Sequence, residues 1–226
     1  TALVFPGGRI DEHDGHAAWE ELTGLSPAAA AELLGSPWED GRPSPLALLV
    51  GAAREVFEES AILLGAGDLD PAWREEARRR VHGGKAEFRD VIMEAGLRLD
   101  LSCLVYFARW VTPEGAPRRY DTRFFATAMP AGQEASPAPV EVERMEWLRP
   151  KPALAAAERG EVFAMPPTRV ALSVLEGPSV AAVLARLARE RNVEPILPRI
   201  RLGAPAEGPG IVVALPGEPG YEEAGS

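Results

Sequence analysis

Between Ser44 and Leu64 the chain carries two helical stripes at once. Leu49, Ala52, Ala53, Val56 and Leu63 recur with helical spacing, Ser44 offers an N-cap and Pro45 stands in the first turn, so a helix over 46–64 is predicted. At about 100° per residue, Glu55, Glu58 and Glu59 fall on one face while the apolar positions fall on another. Like charges three and four residues apart each cost a few tenths of a kcal/mol on an isolated helix. A divalent cation reverses that sign. Hard ions such as Mg²⁺ take oxygen ligands and keep several waters, which leaves room for a phosphate to complete the shell. Arg54, one turn before Glu58, can hold a carboxylate through its planar fork.

Upstream, a short apolar run ends at Val4 and Phe5, and Pro6-Gly7-Gly8 forces a turn. Short helices are predicted over 17–22 and 27–34, then two more over 71–81 and 87–94 with a break at His82-Gly83-Gly84. Strands are expected over 101–111 and 119–128, joined by a Pro- and Gly-rich hairpin loop, with a third over 140–148. Helices at 152–159, 167–175 and 179–191 precede late strands near 199–202 and 211–215. Strands and helices alternate without a linker, so the expectation is one α/β domain over 1–226 with helices on both sides of a mixed sheet.

Composition narrows the function. The 226 residues carry 24 Lys and Arg against 34 Asp and Glu, a net charge of −10 that argues against a duplex nucleic-acid binder or a polybasic membrane anchor. Apolar runs are far shorter than the ~20 residues a bilayer span needs, so no membrane partner is expected. The first residues lack the basic and apolar regions of a signal peptide. Cys103, the single cysteine, sits in an apolar run and fits a small buried hydrophobe in a reducing compartment, here the cytoplasm. The chain starts at Thr1 inside a strand-like run, so strand material upstream is expected.

The Gly8 turn and the Arg54-Glu55-Val56-Phe57-Glu58-Glu59 helix together resemble the Nudix box, G-x5-E-x7-R-E-U-x-E-E-x-G-U, where U is a bulky aliphatic residue. Arg54 follows Gly8 by 46 positions where the pattern spaces them by 14, an insertion of 32 residues. The glutamate of the first half falls on Asp14 when counted forward from Gly8 and on Leu46 when counted back from Arg54, so the partner of Arg54 is open between the two. The final glycine is Ala61. The long insertion, with Phe5–Asp11, Trp110–Gly115, Arg118–Phe125, Trp147–Pro150, Pro166–Thr168 and Leu215–Tyr221, looks like the branch that contains the peroxisomal coenzyme A diphosphatase and its bacterial relatives.

That resemblance implies a Nudix-type α/β/α sandwich with a helical insertion at about 12–44 acting as a cap, and a helical extension at about 160–192. It implies a metal-dependent hydrolase that cleaves a pyrophosphate bond in a nucleoside diphosphate linked to another moiety, coenzyme A or an acyl derivative. Hydrolysis of NADH or ADP-ribose, or a catalytically silent nucleotide-binding module, are the alternatives. Glu55, Glu58 and Glu59 would bind Mg²⁺ or Mn²⁺ with a backbone carbonyl of the Gly7-Gly8 turn, and Arg54 would orient them. Proton acceptance falls to a box glutamate or to Glu141 or Glu143. Arg118, Arg119 and Arg123 are the candidate phosphate grips beside the turn, whereas Arg78, Arg79, Arg80 and Lys85 suit a solvated helix face. His13, His16 and His82 lack metal-ligand spacing and suit loops, and Trp19, Trp38 and Trp73 suit small-core anchors. The expected partner is a small nucleotide-type substrate. Oligomeric state is not readable.

Overall fold

The computed structural model describes residues 2–35, 43–114, 116, 118–138, 144–190, 194–202, 211–222 and 224. In chain order the elements are β1 (Ala2–Leu3), a 3₁₀ turn (Glu12–Gly15), α1 (Ala18–Thr23), α2 (Pro27–Leu34), α3 (Pro45–Ser60), α4 (Pro71–His82) and α5 (Phe88–Glu94). A second 3₁₀ turn (Leu101–Cys103) leads to β2 (Val105–Val111), β3 (Asp121–Ala126), α6 (Pro150–Glu158), β4 (Phe163–Ala164) and α7 (Pro166–Val174). The chain closes with α8 (Val180–Arg189), β5 (Pro195–Ile196), β6 (Arg199–Leu202) and β7 (Ile211–Ala214).

β2 is the centre of a mixed three-stranded sheet, antiparallel to β3 and parallel to β5. Its burial alternates with period two, Tyr106, Ala108 and Trp110 inside and their neighbours half-buried, as a pleated strand requires. α2 and α8 both contact it. β1 pairs in parallel with β4, and β6 with β7 antiparallel. The architecture is thus α/β with a mixed sheet. No helix among the described residues is long and apolar enough to cross a membrane.

The core forms around α3. Ser44 Oγ accepts from Ala47 N at 3.1 Å to start the helix, and Leu49, Val50, Ala53 and Phe57 are fully buried along it. Trp19, Phe88 and Phe57 stack in a row, with ring centroids 5.4 and 5.6 Å apart. Trp19, Ala30 and Leu34 from the 12–44 stretch belong to this same core, and Leu99 N donates to Leu22 O at 2.9 Å. The inserted residues are therefore part of the body of the domain. Trp73 packs against the same core, half-buried, while Trp38 lies outside the described residues.

Several boundaries differ from the sequence expectation for local physical reasons. The helix predicted to reach Leu64 stops at Ser60, because Ala61 adopts a left-handed conformation (φ 56°, ψ 16°) and its N–H closes on Phe57 O. Ile62, Leu63 and Leu64 still go inside, but from an irregular segment held by Gln133, whose amide oxygen accepts from Leu63 N at 2.9 Å and whose amide nitrogen donates to Leu63 O at 3.1 Å. Residues 101–103 form a 3₁₀ turn instead of a strand because the Asp100 carboxylate caps Ser102 N at 3.0 Å. β3 begins at Asp121, two residues later than expected, since Arg119 and Tyr120 are bonded to Thr112 across the hairpin. Of the expected strand at 140–148, residues 140–143 lie outside the described residues and 144–148 are neither helix nor strand. β4 was not foreseen; two residues are too few for a periodic signal.

A left-handed backbone costs an alanine about 1–2 kcal/mol, and a β-branched residue more. Ala61→Gly removes that cost but loses a buried methyl of about 0.8 kcal/mol and adds about 0.5–1 kcal/mol of chain entropy in the unfolded state. Thermal melts should therefore find Ala61→Gly close to the parent and Ala61→Val destabilised by about 2 kcal/mol, or about 4–8 °C for a chain of this size.

Candidate functional site

Three stretches of chain meet on the acidic face of α3: the turn 5–9, the 3₁₀ turn Glu12–Gly15 and the helix itself. They meet at Arg54. Its Nε and Nη2 donate to the two oxygens of Asp14 at 2.9 and 3.0 Å, and Nη1 lies 2.9 Å from both Glu58 Oε1 and Glu55 Oε1. Nη2 also donates to the Arg9 carbonyl at 2.7 Å. Asp14 is only 2% exposed, and its remaining need is met by Asp11 N, which donates to Oδ2 at 2.8 Å. Of the two positions left open by the sequence, the partner of Arg54 is thus Asp14; Leu46 is a buried core residue of α3.

Two glycines make this approach possible. A Cβ on Gly51 would stand 2.6 Å from Ile10 Cδ1 and 3.0 Å from Asp14 Oδ2, so the bare helix surface lets the 3₁₀ turn dock. A Cβ on Gly8 would fall 2.5 Å from both Glu55 carboxylate oxygens, so the turn backbone lies directly against that side chain. Gly7 N donates to Glu59 Oε1 at 3.2 Å. Glu55, Glu58 and Glu59 are all half-buried.

Burial works against the charge on Arg54, yet the hydrogen bonds to Asp14 and Glu58 and the surrounding carboxylates hold its pKa above the ordinary arginine value. Glu55 is pushed above the usual carboxylate value by burial, an effect that Arg54 opposes and the charges of Glu58 and Asp14 reinforce. One guanidinium thus faces three carboxylates, Asp14, Glu55 and Glu58, and leaves an excess of negative charge.

Whether these residues suit a divalent cation can be judged from the donors. Among the described residues no three Asp, Glu, His or Cys side chains converge as a ready-made cage. Arg54 itself bridges Glu55 and Glu58. Mg²⁺ does not require such a cage, since it is commonly held by one or two carboxylates with waters and substrate phosphates. Hard oxygen donors, an excess of negative charge and an adjacent open turn fit that mode.

The other sequence candidates are distributed as follows. Glu141 and Glu143 lie outside the described residues. Arg123 is paired with Asp121 at 3.4 Å, and Asp121 is also gripped by Arg109 at 2.8 Å through both oxygens. Arg119 donates to Thr112 O at 3.2 Å and lies 3.8 Å from Glu114. Arg9 Cζ lies 5.9 Å from the centroid of the Tyr120 ring, and Arg9 and Arg118 together hold the Tyr120 hydroxyl below its ordinary pKa. Phe5 and Phe124 meet edge to face at 6.2 Å, which lays the Tyr120 end of β3 against the turn. Arg9 and Tyr120 were not singled out in the sequence; the only signal was the basic residue directly after the double glycine. His82 also stands nearer the site than expected, Nδ1 4.0 Å from Glu58 Oε2. Arg78 is buried against Glu75 instead of solvated, whereas Arg79 and Arg80 pair at the surface with Glu76 and Glu94. Burial raises the Cys103 thiol pKa, which makes it a poor nucleophile.

This fold is that of a Nudix domain. The structure is similar to the crystal structure of a NUDIX hydrolase from Alicyclobacillus acidocaldarius, with a TM-score of 0.58 and 26% identity over 85% of this chain and 81% of that one. The family model of the NUDT19 Nudix domain matches residues 1–175, and the chain belongs to that family. It is 28% identical over 206 residues to the acyl-coenzyme A diphosphatase NUDT19 of Gallus gallus, covering 74% of this chain and 54% of that protein. To the Xenopus laevis protein of the same name it is 27% identical over 264 aligned positions, covering 99% of this chain and 68% of that one. The chain therefore spans about half to two-thirds of the length of these relatives.

The Arg54–Asp14 pair sets an asymmetric prediction. Arg54→Met strands the buried Asp14 charge and should cost about 3–5 kcal/mol. Asp14→Asn leaves Arg54 its contacts with Glu55, Glu58 and Arg9 O, and should cost about 1–2 kcal/mol. Urea unfolding of both variants measures the difference, and the reverse order would show that the pair does not organise the site.

Proposed function

We propose that this chain hydrolyses the pyrophosphate bond of coenzyme A or an acyl-coenzyme A, releasing 3′-phospho-AMP and 4′-phosphopantetheine or its acyl derivative, with Mg²⁺ or Mn²⁺ held at α3. The observation that carries the reading is the clasp of Arg54 on Asp14, Glu55 and Glu58 beside the Gly7-Gly8 turn. The acyl-coenzyme A diphosphatase activity named for the relatives supplies the substrate. When bound, the metal polarises the phosphoryl oxygens and lowers the pKa of the attacking water.

The protein residues divide the remaining work. Glu55 and Glu59, the two carboxylates in contact with the turn, would hold the cation together with the Gly8 carbonyl. Arg54 keeps Glu58 and Asp14 fixed so that neither swings away when the substrate enters. Glu58, with one oxygen on Arg54 and the other 4.0 Å from His82, takes the proton of the attacking water. The pyrophosphate lies over the turn at Gly7, where a Cβ would meet nothing within 4 Å. Cys103, half-buried and with a raised pKa, takes no part and suits the cytoplasm we propose as the compartment.

The test is turnover of coenzyme A, NADH and ADP-ribose, each with Mg²⁺ and with Mn²⁺. Coenzyme A should be the best substrate, and Glu55→Gln or Glu59→Gln should lower its kcat/KM by about 100-fold or more while the melting temperature holds. Faster turnover of NADH or ADP-ribose under both metals would overturn the substrate, and full activity in both variants would overturn the metal site.

A further inference from the structure

Most cations near the site already have a carboxylate partner. Arg54 is engaged by Asp14, Glu55 and Glu58, Arg109 and Arg123 by Asp121, and Arg119 is near Glu114. Arg9 and Arg118 differ. Among the described residues neither is ion-paired; Arg9 stands over the ring of Tyr120 and Arg118 lies two residues before it, and both hold the Tyr120 hydroxyl below its ordinary pKa. Arg9 Cζ lies 5.9 Å from the centroid of the Tyr120 ring. Tyr120 is 45% exposed and is held at its backbone by Thr112, with Tyr120 N donating to Thr112 Oγ1 at 3.0 Å and Thr112 N donating to Tyr120 O at 2.9 Å. The position relative to the glutamates is also fixed, because the Arg9 carbonyl is bonded to Arg54 and the preceding Gly8 abuts Glu55.

We propose that Arg9, Tyr120 and Arg118 form a subsite for a phosphate monoester on the nucleoside half of the substrate, separate from the pyrophosphate that is cut. The inference rests on the coenzyme A reading, whose nucleoside half carries a 3′-phosphate that NADH and ADP-ribose lack. Two guanidinium groups acting on one hydroxyl repel each other, and a dianion between them converts that repulsion into attraction. A phosphate monoester is close to dianionic at neutral pH, and its three oxygens match two planar forks. Arg9 and Arg118 are the binding residues. Tyr120 is a positioning residue whose hydroxyl both arginines act on and whose ring offers a face for cation–π contact. In a chain of net charge −10, an anion needs such a local concentration of positive charge.

The experiment compares kcat/KM for coenzyme A and dephospho-coenzyme A in the parent, Arg9→Met, Arg118→Met and Tyr120→Phe. One charge-assisted contact is equivalent to about ten- to a hundredfold. The parent should prefer coenzyme A by about that factor, the two Arg variants should bring the ratio close to one, and Tyr120→Phe should fall between. An unchanged ratio in both Arg variants overturns the subsite, as does an equal fall on both substrates, which would assign these arginines to the pyrophosphate. Equilibrium binding of adenosine 3′,5′-bisphosphate against AMP gives a readout independent of turnover. If neither coenzyme is hydrolysed, the activity reading fails, and the subsite still stands when the parent binds the bisphosphate more tightly and Arg118→Met does not. Equal binding of the two by the parent overturns it.

Discussion

A single guanidinium holds the candidate site together. Arg54 bonds to the Arg9 carbonyl, to Asp14, to Glu55 and to Glu58, four partners drawn from three stretches of chain. Three of them are anions that repel one another, and α3 alone would splay them. A lysine could not take this place, because a point charge lacks the planar fork that serves Asp14 through Nε and Nη2 while Nη1 turns to the glutamates. The arrangement is also incomplete by design of charge: Arg54 fixes the positions of the carboxylates and cannot neutralise them. Glu55 registers the surplus, held above the normal carboxylate pKa by burial and by its acidic neighbours.

The long insertion between turn and helix has to be judged against that clasp. The entropy of closing a loop grows only with the logarithm of its length, so added residues are a modest thermodynamic burden. What matters is where they return. Asp14 lies at the very start of the insertion, capped onto Asp11, so the clasp closes before the extra chain departs. The residues that follow fold as α1 and α2 and give Trp19, Ala30 and Leu34 to the core around Phe57. Phe57 sits between Arg54 and Glu58 in sequence, and at about 100° per residue it turns away from the stripe of Glu55, Glu58 and Glu59 and into the core. The described part of the insertion therefore shares a core with the helix that carries the glutamates, and stability and site geometry are coupled through that helix.

The helix with its three glutamates and the turn beside it could be read from the sequence because each has a local signature, a 3.6-residue period in one case and Pro-Gly-Gly in the other. Asp14 could not be fixed: a pattern broken by an insertion does not say on which side its missing member lies, and only the docking of a 3₁₀ turn against Gly51 decides it. The helix end was placed at Leu64 because Ile62, Leu63 and Leu64 are apolar, while burial in an irregular segment leaves the same composition as burial in a helix. Strand alternation expects Tyr120, Thr122 and Phe124 on one face and Asp121, Arg123 and Phe125 on the other, while β3 begins only at Asp121 and its pairing with β2 is irregular. It carries no information about what covers each face, so the approach of Phe5 and Arg9 to that strand was invisible until the chain was folded.

Placed together, these contacts give the site a polarity. The α3 side is acidic, with one arginine among four carboxylates, and its surplus suits cations. Across the turn, at the start of β3, the sign changes. Asp121 there accepts both Arg109 and Arg123, which satisfies two cations with one carboxylate, and Arg9 and Arg118 add two more around Tyr120. Farther off, Arg74 is buried and its Nη1 donates to the carbonyls of Ala61 and Glu134, which pins the end of α3. The Gly7-Gly8 turn thus separates an acidic face from a rim rich in arginine. A molecule bound across it would meet the first with a metal-chelating pyrophosphate and the second with a further phosphate, and the backbone of the turn, bonded on one side to Glu59 and on the other to Arg54, sets the distance between them.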